Sequence, residues 1–211
     1  MPSAAVSQRP AVWLWWISAN GVGYAVGVAF WQSTYPALRP ALGIPFGGLV
    51  LVAGFGATVG LCAGLAQAVV LPLNVIRGVV WVLIAIVAYA VGFVVAATVS
   101  APLNDALEPR VGLPLTDAVL LLVFGALVGA SIGASRWLAL RAGGVVASRW
   151  LLGSAVGLMI GYPLAIGALE LLPELDQPVV GLAFGLCAGA TTALIEWRIA
   201  RNEIMGEWRV R

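Results

Sequence analysis

Six long apolar segments divide the chain, at about 11–31, 47–72, 78–99, 115–140, 148–169 and 178–200. Each meets the roughly 20 residues that a helix needs to cross a bilayer. The runs are continuously apolar rather than alternating, which disfavours lipid-exposed strands. A helix also satisfies its own backbone groups, as a hydrocarbon solvent demands. The pattern predicts an all-α integral membrane protein with six transmembrane helices, residues 1–211 forming a single transmembrane domain.

Small residues interrupt the apolar runs at regular spacing. Gly56, Gly60 and Gly64, then Gly125, Gly129 and Gly133, then Gly181, Gly185 and Gly189 recur every fourth residue. On a helix such residues form one stripe, which lets another helix approach backbone to backbone. A polar residue follows at the same interval each time: Gly56 to Gln67, Gly125 to Arg136, Gly185 to Glu196. In the odd segments Trp16, Trp81 and Trp150 precede Gly27, Gly92 and Gly161, again at one interval. The stretch from Leu38-Arg39-Pro40 to Pro45 matches Leu107-Glu108-Pro109 to Pro114. These matches predict three parallel hairpin repeats, at about 11–73, 77–141 and 147–201, with a surface-lying tail at 202–211.

Arginine placement supplies an orientation. With the N-terminus inside, inner segments hold Arg9, Arg77, Arg136, Arg141, Arg149, Arg198, Arg201, Arg209 and Arg211, and outer loops hold only Arg39 and Arg110. That asymmetry predicts both termini inside; the expected location is a bacterial cytoplasmic (inner) membrane. Asp105, Glu108, Asp117, Glu170, Glu174 and Asp176 gather on the outer side. They read as acids tolerated where Arg is scarce rather than as a cation vestibule. The Pro-rich outer loops should form short, rigid, partly helical turns, since proline stops a helix.

Composition removes several functions. Hydrophobic residues make up 62% and charged residues 9%, against about 25% charged in a soluble domain. The sequence has no His, which excludes His-ligated haem or chlorophyll. Cys62 and Cys187 are isolated in Gly-rich segments and read as packing residues, so no metal site is expected. A net charge of +2 without a basic stripe gives no reason to expect nucleic acid. No Ser-His pair, HExxH or phosphate-cradling loop appears, so a non-enzyme is expected and no catalytic residue is assigned.

The polar constellation is Gln67, Arg136 and Glu196. Packing around a pseudo-threefold axis would bring them to one depth, where Arg136 and Glu196 could pair with Gln67 bridging, as a gate or lock. The plainer expectation, and the favoured one, is that Arg136 snorkels to the headgroups and Glu196 pairs locally with Arg198 or Arg201. Trp16, Trp81 and Trp150 read as interfacial aromatic anchors; a sharper reading makes the Trp-rich inner rim a seat for a flat aromatic ligand. Pro163 should bend the fifth helix.

The stretches Gln67 to Leu71, Arg136-Trp137-Leu138-Ala139-Leu140-Arg141 and Glu196-Trp197-Arg198-Ile199-Ala200-Arg201 resemble a loose group of uncharacterised bacterial multi-pass membrane proteins. Their hairpins repeat a glycine-rich helix ending near Gln-Trp-x-x-Leu-Arg, followed by a Trp-rich helix. This chain departs from the pattern at Ala68, and at Arg136 and Glu196 in place of Gln. The resemblance implies a fold and no activity.

Taken together, the residues favour a non-catalytic subunit or scaffold of a larger membrane complex. Its partners would be membrane lipid and other membrane subunits, some facing the glycine stripes. No cofactor is assigned; lipid, carotenoid or quinone against the Trp-rich rim is the class considered. The alternative is a small-solute transporter or channel along the pseudo-threefold axis, with Ser131 and Thr191 among its scattered polar lining.

Overall fold

The computed structural model describes residues 11–42, 47–71, 73–141, 148–171 and 175–209, with no strand among them. The elements are α1 (Ala11–Leu42), α2 (Gly47–Val70), α3 (Val75–Val111), α4 (Leu113–Arg141), α5 (Ser148–Glu170) and α6 (Gln177–Arg209). Five of them, α2 to α6, are long and apolar enough to cross a membrane, which makes the chain a multi-pass membrane protein. The sixth, α1, differs from the expectation. It is 32 residues long, but Trp13, Trp15, Trp16, Ser18 and Asn20 dilute its apolar run.

Each helix packs against its neighbours in sequence, and α6 packs back against α1. The result is a closed ring of six helices in chain order. Because the chain alternates direction, the starts of α1, α3 and α5 lie at one end with the finishes of α2, α4 and α6. We call this the terminal end, and the opposite one the far end.

The glycines explain the close ring contacts. A Cβ on Gly129 would lie 2.2 Å from the Ser154 carbonyl oxygen, and one on Gly125 would lie 2.3 Å from that of Leu158. A Cβ on Gly133 would meet Leu151 Cα at 2.4 Å. The stripe on α4 therefore faces α5. On α2, Gly56 and Gly60 face Tyr89 and Ala85 of α3, and Gly64 faces Val82 and Ala85; on α6, Gly181, Gly185 and Gly189 face Ala29, Ala25 and Asn20 of α1. Every stripe named from the sequence thus faces the next helix of the same chain, where a bare backbone admits the partner. The expectation that some of them face another subunit is corrected accordingly.

The helices also run past their expected ends. α1 continues through Pro36 and Pro40, and α3 through Pro102 and Pro109. All four prolines are exposed, so the backbone carbonyls they leave unpaired can be solvated. The connection between α3 and α4 is consequently one residue, Gly112, whose φ of 78° breaks the helix. Its N–H is donated to the Glu108 carbonyl at 3.1 Å, and its own carbonyl accepts from the Thr116 hydroxyl at 2.9 Å. The expected turn around 107–114 is therefore helix, hinge and helix. The matching stretch at 43–45 lies outside the described residues. α5 continues through Pro163 without a break. At the terminal end Asn74 starts α3, its side chain accepting from the Arg77 backbone N–H at 2.9 Å.

Candidate functional site

Side chains fill the ring, and they stack one helical turn apart. On α1, Trp16, Asn20 and Tyr24 are successive inward positions; on α3 they are Trp81, Ala85 and Tyr89; on α5, Trp150, Ser154 and Leu158. Residues four apart share a face, so each helix delivers one residue to each of three levels. The first level is a cluster of Trp16, Trp81 and Trp150 at the terminal end. The third is a cluster of Tyr24, Tyr89, Phe93, Leu158 and Tyr162 with Val28, Val59, Ala63, Ala96, Val128 and Ile132. Between them lies a polar level of Asn20, Gln67, Arg136, Ser154 and Glu196, every one buried.

The structure brings Arg136 and Glu196 together. Arg136 is 4% exposed and Glu196 0%. Arg136 Nη1 donates to Glu196 Oε1 and to Ser154 Oγ at 3.2 Å, and Ser154 Oγ donates to Glu196 Oε1 at 2.7 Å. The guanidinium carbon also lies 5.6 Å and 5.4 Å from the Trp16 and Trp150 ring centroids, within cation–π reach. The cation thus has a counter-charge, a hydroxyl and two indole faces, and does not snorkel. The favoured local pairing of Glu196 is replaced by a bond across helices α4 and α6. Arg198 is exposed, and the Arg201 side chain lies outside the described residues. Removing two ions from water costs several kcal/mol each, which the attraction repays only with good geometry and extra hydrogen bonds.

Gln67 serves the same level through different bonds. Its Nε2 donates to Asn20 Oδ1 at 2.8 Å, and its Oε1 accepts from Trp81 Nε1 at 3.1 Å. Asn20 Nδ2 donates to the Trp16 carbonyl at 2.9 Å. One amide so ties α2 to α1 and α3. It makes no hydrogen bond to Arg136 or Glu196, so the three residues share a level but form two networks. A void of about 10 Å³ separates Gln67 and Trp81 from Arg136.

The three tryptophans are corrected from their expected place. Trp16, Trp81 and Trp150 are 1%, 5% and 2% exposed, inside the ring rather than at the lipid interface. Trp16 and Trp150 meet edge to face at 5.4 Å. Their rings roof the polar level, so they offer no open seat for a flat ligand. Trp15, one position away, is 63% exposed and faces outward. Sequence reasoning had no hydrophobic-periodicity signal to separate them. The constant interval from Trp16, Trp81 and Trp150 to their glycines was the available one.

The far end is different. There Phe55, Phe93, Phe124, Tyr162 and Phe184 form a chain of ring contacts with centroids 4.8–6.3 Å apart. Beneath them the Tyr89 hydroxyl donates to the Tyr24 hydroxyl at 2.6 Å. Above them opens a cavity of about 470 Å³ lined from α1 to α5 by Trp31, Tyr35, Val52, Phe55, Phe124 and Tyr162, among others. A second groove, of about 530 Å³, runs between α3 and α4 past Leu83, Ala88, Ser131 and Ser135. Ser131 therefore lines the α3–α4 groove rather than the ring centre, its hydroxyl bonded to the Leu127 carbonyl at 3.1 Å. Thr191 is part-buried, while its neighbour Thr192 points inward and bonds the Ala188 carbonyl at 2.7 Å.

The site chemistry is that of a sealed bundle. A buried neutral ion pair sits at one level and an aromatic cavity at the other end, with a Tyr and Phe layer between. No protein-family model, curated protein or solved structure matches the chain, so the arrangement of its own side chains carries the functional argument.

Proposed function

We propose that this chain is a non-catalytic integral membrane protein of the bacterial inner membrane that holds an apolar, membrane-dissolved ligand, as a subunit or scaffold of a larger membrane assembly. The carrying observation is the far-end cavity of about 470 Å³, lined by aromatic side chains from five helices. Its size suits part of a lipid chain, a carotenoid end or a quinone headgroup. The matched levels on α1, α3 and α5 support an origin in three hairpin copies. The Arg-rich terminal end supports placing both termini inside. The docking surface for other subunits is the exposed helical extension of α1 and α3 past the ring, where Asp105, Glu108 and Arg110 are exposed.

The test is purification in gentle detergent, followed by native mass analysis and an absorption spectrum of the same peak. A defined mass increment from an apolar molecule, lost in an Ala97→Phe variant that fills the cavity, supports the reading. A ligand-free monomer or homo-oligomer sinks it.

A second reading, small-solute transport, draws on one observation. Ionisable groups inside membrane bundles commonly mark substrate paths, and Arg136 and Glu196 are such groups. The filled levels on either side of them weigh against an open path. A Cys at Thr192, in a background lacking Cys62 and Cys187, should resist aqueous thiol reagents in the scaffold reading and react in the transport reading.

A further inference from the structure

The groove between α3 and α4 has a cause in the sequence. Seven residues after Trp16 and Trp150 stand Gly23 and Gly157, but seven after Trp81 stands Ala88. A Cβ on Gly23 would lie 2.6 Å from Ala63 Cα of α2, and one on Gly157 would lie 3.0 Å from Thr192 Cα of α6. Bare backbone there admits the neighbouring helix. Ala88 carries the methyl group that those two positions exclude, and beside it opens the groove of about 530 Å³. One turn further on, α3 and α4 meet: a Cβ on Gly92 would lie 3.0 Å from Ser131 Cβ and 3.3 Å from Val128 Cα. The groove therefore has a closed deep end. Its rim residues Leu83, Val87, Val91 and Leu138 are exposed on the outside of the ring, so it opens onto lipid. The Ser131 and Ser135 hydroxyls in its wall donate to the Leu127 and Ile132 carbonyls of their own helix. No hydroxyl proton is left for a polar ligand.

Depth and charge select the occupant. On α3 the groove runs from Leu83 to Val91, about 12 Å at the rise of an α-helix. Arg77 is exposed and lies six residues nearer the terminal end than Leu83, about 9 Å away along the helix. It shares a stripe of α3 with Ile84 and Val91, seven and fourteen residues on. A bilayer has a hydrocarbon core of about 30 Å between headgroup layers of about 5–7 Å each. With Arg77 in the headgroup layer, the groove spans the hydrocarbon of one leaflet and ends near the midplane. A helix of a second copy would cross both leaflets, whereas one acyl chain ends where the groove ends. Among the described side chains, the charged ones exposed at the terminal end are Arg77, Arg149 and Arg198, while Asp105, Glu108, Asp117, Glu170 and Asp176 are exposed at the far end. The terminal end thus favours an anionic headgroup.

We propose that the α3–α4 groove is a binding site for an anionic phospholipid, one acyl chain lying against Ala88 and Ala134 and the phosphate held at Arg77. The site is independent of what occupies the far-end cavity. Lipid tails are as apolar as the groove wall, so leaving bulk lipid brings no hydrophobic gain. Retention comes instead from the contacts that a chain gives to walls otherwise lacking them, and selection from the arginine charge.

The test places the full chain in nanodiscs of equal parts phosphatidylglycerol and phosphatidylcholine with matched chains, and reads the lipids retained on its release by native mass analysis. One retained lipid is expected, with phosphatidylglycerol favoured about fivefold, the factor that one arginine contributes at an anionic surface. Ala134→Phe, which fills the groove, should lose it. Arg77→Gln should keep a lipid without the preference. Ala97→Phe, which fills the far-end cavity, should leave both retention and preference unchanged, which separates this site from that one. Equal retention in Ala134→Phe and the parent overturns the proposal, as does a preference that survives Arg77→Gln. A dimer that Ala134→Phe dissolves also overturns it, making the groove an interface between copies. If Ala134→Phe fails to insert, a phosphatidylglycerol with a photoreactive acyl chain decides on the unsubstituted protein. Crosslinks at 83–91 and 131–138 in excess of those at Val22 and Val26, which are exposed on α1, support the site, and even labelling refutes it.

Discussion

Gly129→Ala tests the ring most directly. The new Cβ would sit 2.2 Å from the Ser154 carbonyl oxygen and 2.7 Å from Ala155 Cα. Ordinary contact begins near 3.4 Å, so α4 and α5 must part by roughly 1 Å, the shortfall over the closest approach, against the penalty for overpacking. That movement would also loosen the flanking approaches at Gly125 and Gly133. Overpacking of this kind costs about 1–3 kcal/mol, and the backbone-on-backbone clash here places it at the upper end. The helix preference of Ala over Gly returns up to ~1 kcal/mol. The net loss is about 2 kcal/mol, which for a chain of this size lowers the melting midpoint by roughly 4–8 °C. Gly78→Ala is the matched control. Nothing lies within 4 Å of its Cβ position, so only the preference gain remains and the midpoint should hold or rise. Both variants and the parent are melted in nanodiscs, followed by intrinsic tryptophan fluorescence. Gly64→Ala, whose closest contact is the Ala85 side chain at 3.0 Å, should fall between them. If Gly129→Ala melts at or above the Gly78→Ala protein, the stripe does not set the α4–α5 distance and the packing argument fails.

Other substitutions probe the interior. Arg136→Met strands Glu196 and should cost about 3–5 kcal/mol; Arg136→Met with Glu196→Met should recover most of it. A double variant no more stable than the single would show that the pair is not the coupled unit described. Gln67→Leu removes the partners of Asn20 Oδ1 and Trp81 Nε1 and should cost about 1–3 kcal/mol for each stranded group, read by the same melt. Asn74→Ala should cost about 1 kcal/mol and speed amide exchange in the first turn of α3 while leaving α4 unchanged.

Several features were legible in the residues alone. Continuous apolar runs announced helices, and glycines every fourth position announced close contacts. Helix ends were harder to read, because a proline need not stop a helix whose neighbouring turns continue to hold it. Pro36, Pro40, Pro102 and Pro109 are exposed, and the helices run through them. The direction of a stripe was hidden as well: a smooth face at Gly129 looks the same whether α5 or a foreign helix fills it. Arg136 was misjudged for a different reason. A lone arginine near a helix end snorkels by default, and only a partner at matching depth on another helix reverses that. The equal intervals to Gln67, Arg136 and Glu196 carried this information, but they give depth and not pairing. Nothing in the sequence marked the far-end cavity, which needs side chains from five helices at once.

The ring closes only when α6 meets α1, and this has a consequence for biosynthesis. Arg136 enters the bilayer on α4, but its counter-charge, Glu196, arrives on the last helix. During the interval while α5 and α6 emerge, the nascent protein carries a cation whose carboxylate has not yet been made. A chain truncated before α6 never acquires it. Such a fragment keeps both an unneutralised arginine and an open seam along α1, two marks by which a membrane protease or insertase could distinguish the unfinished molecule from the complete one.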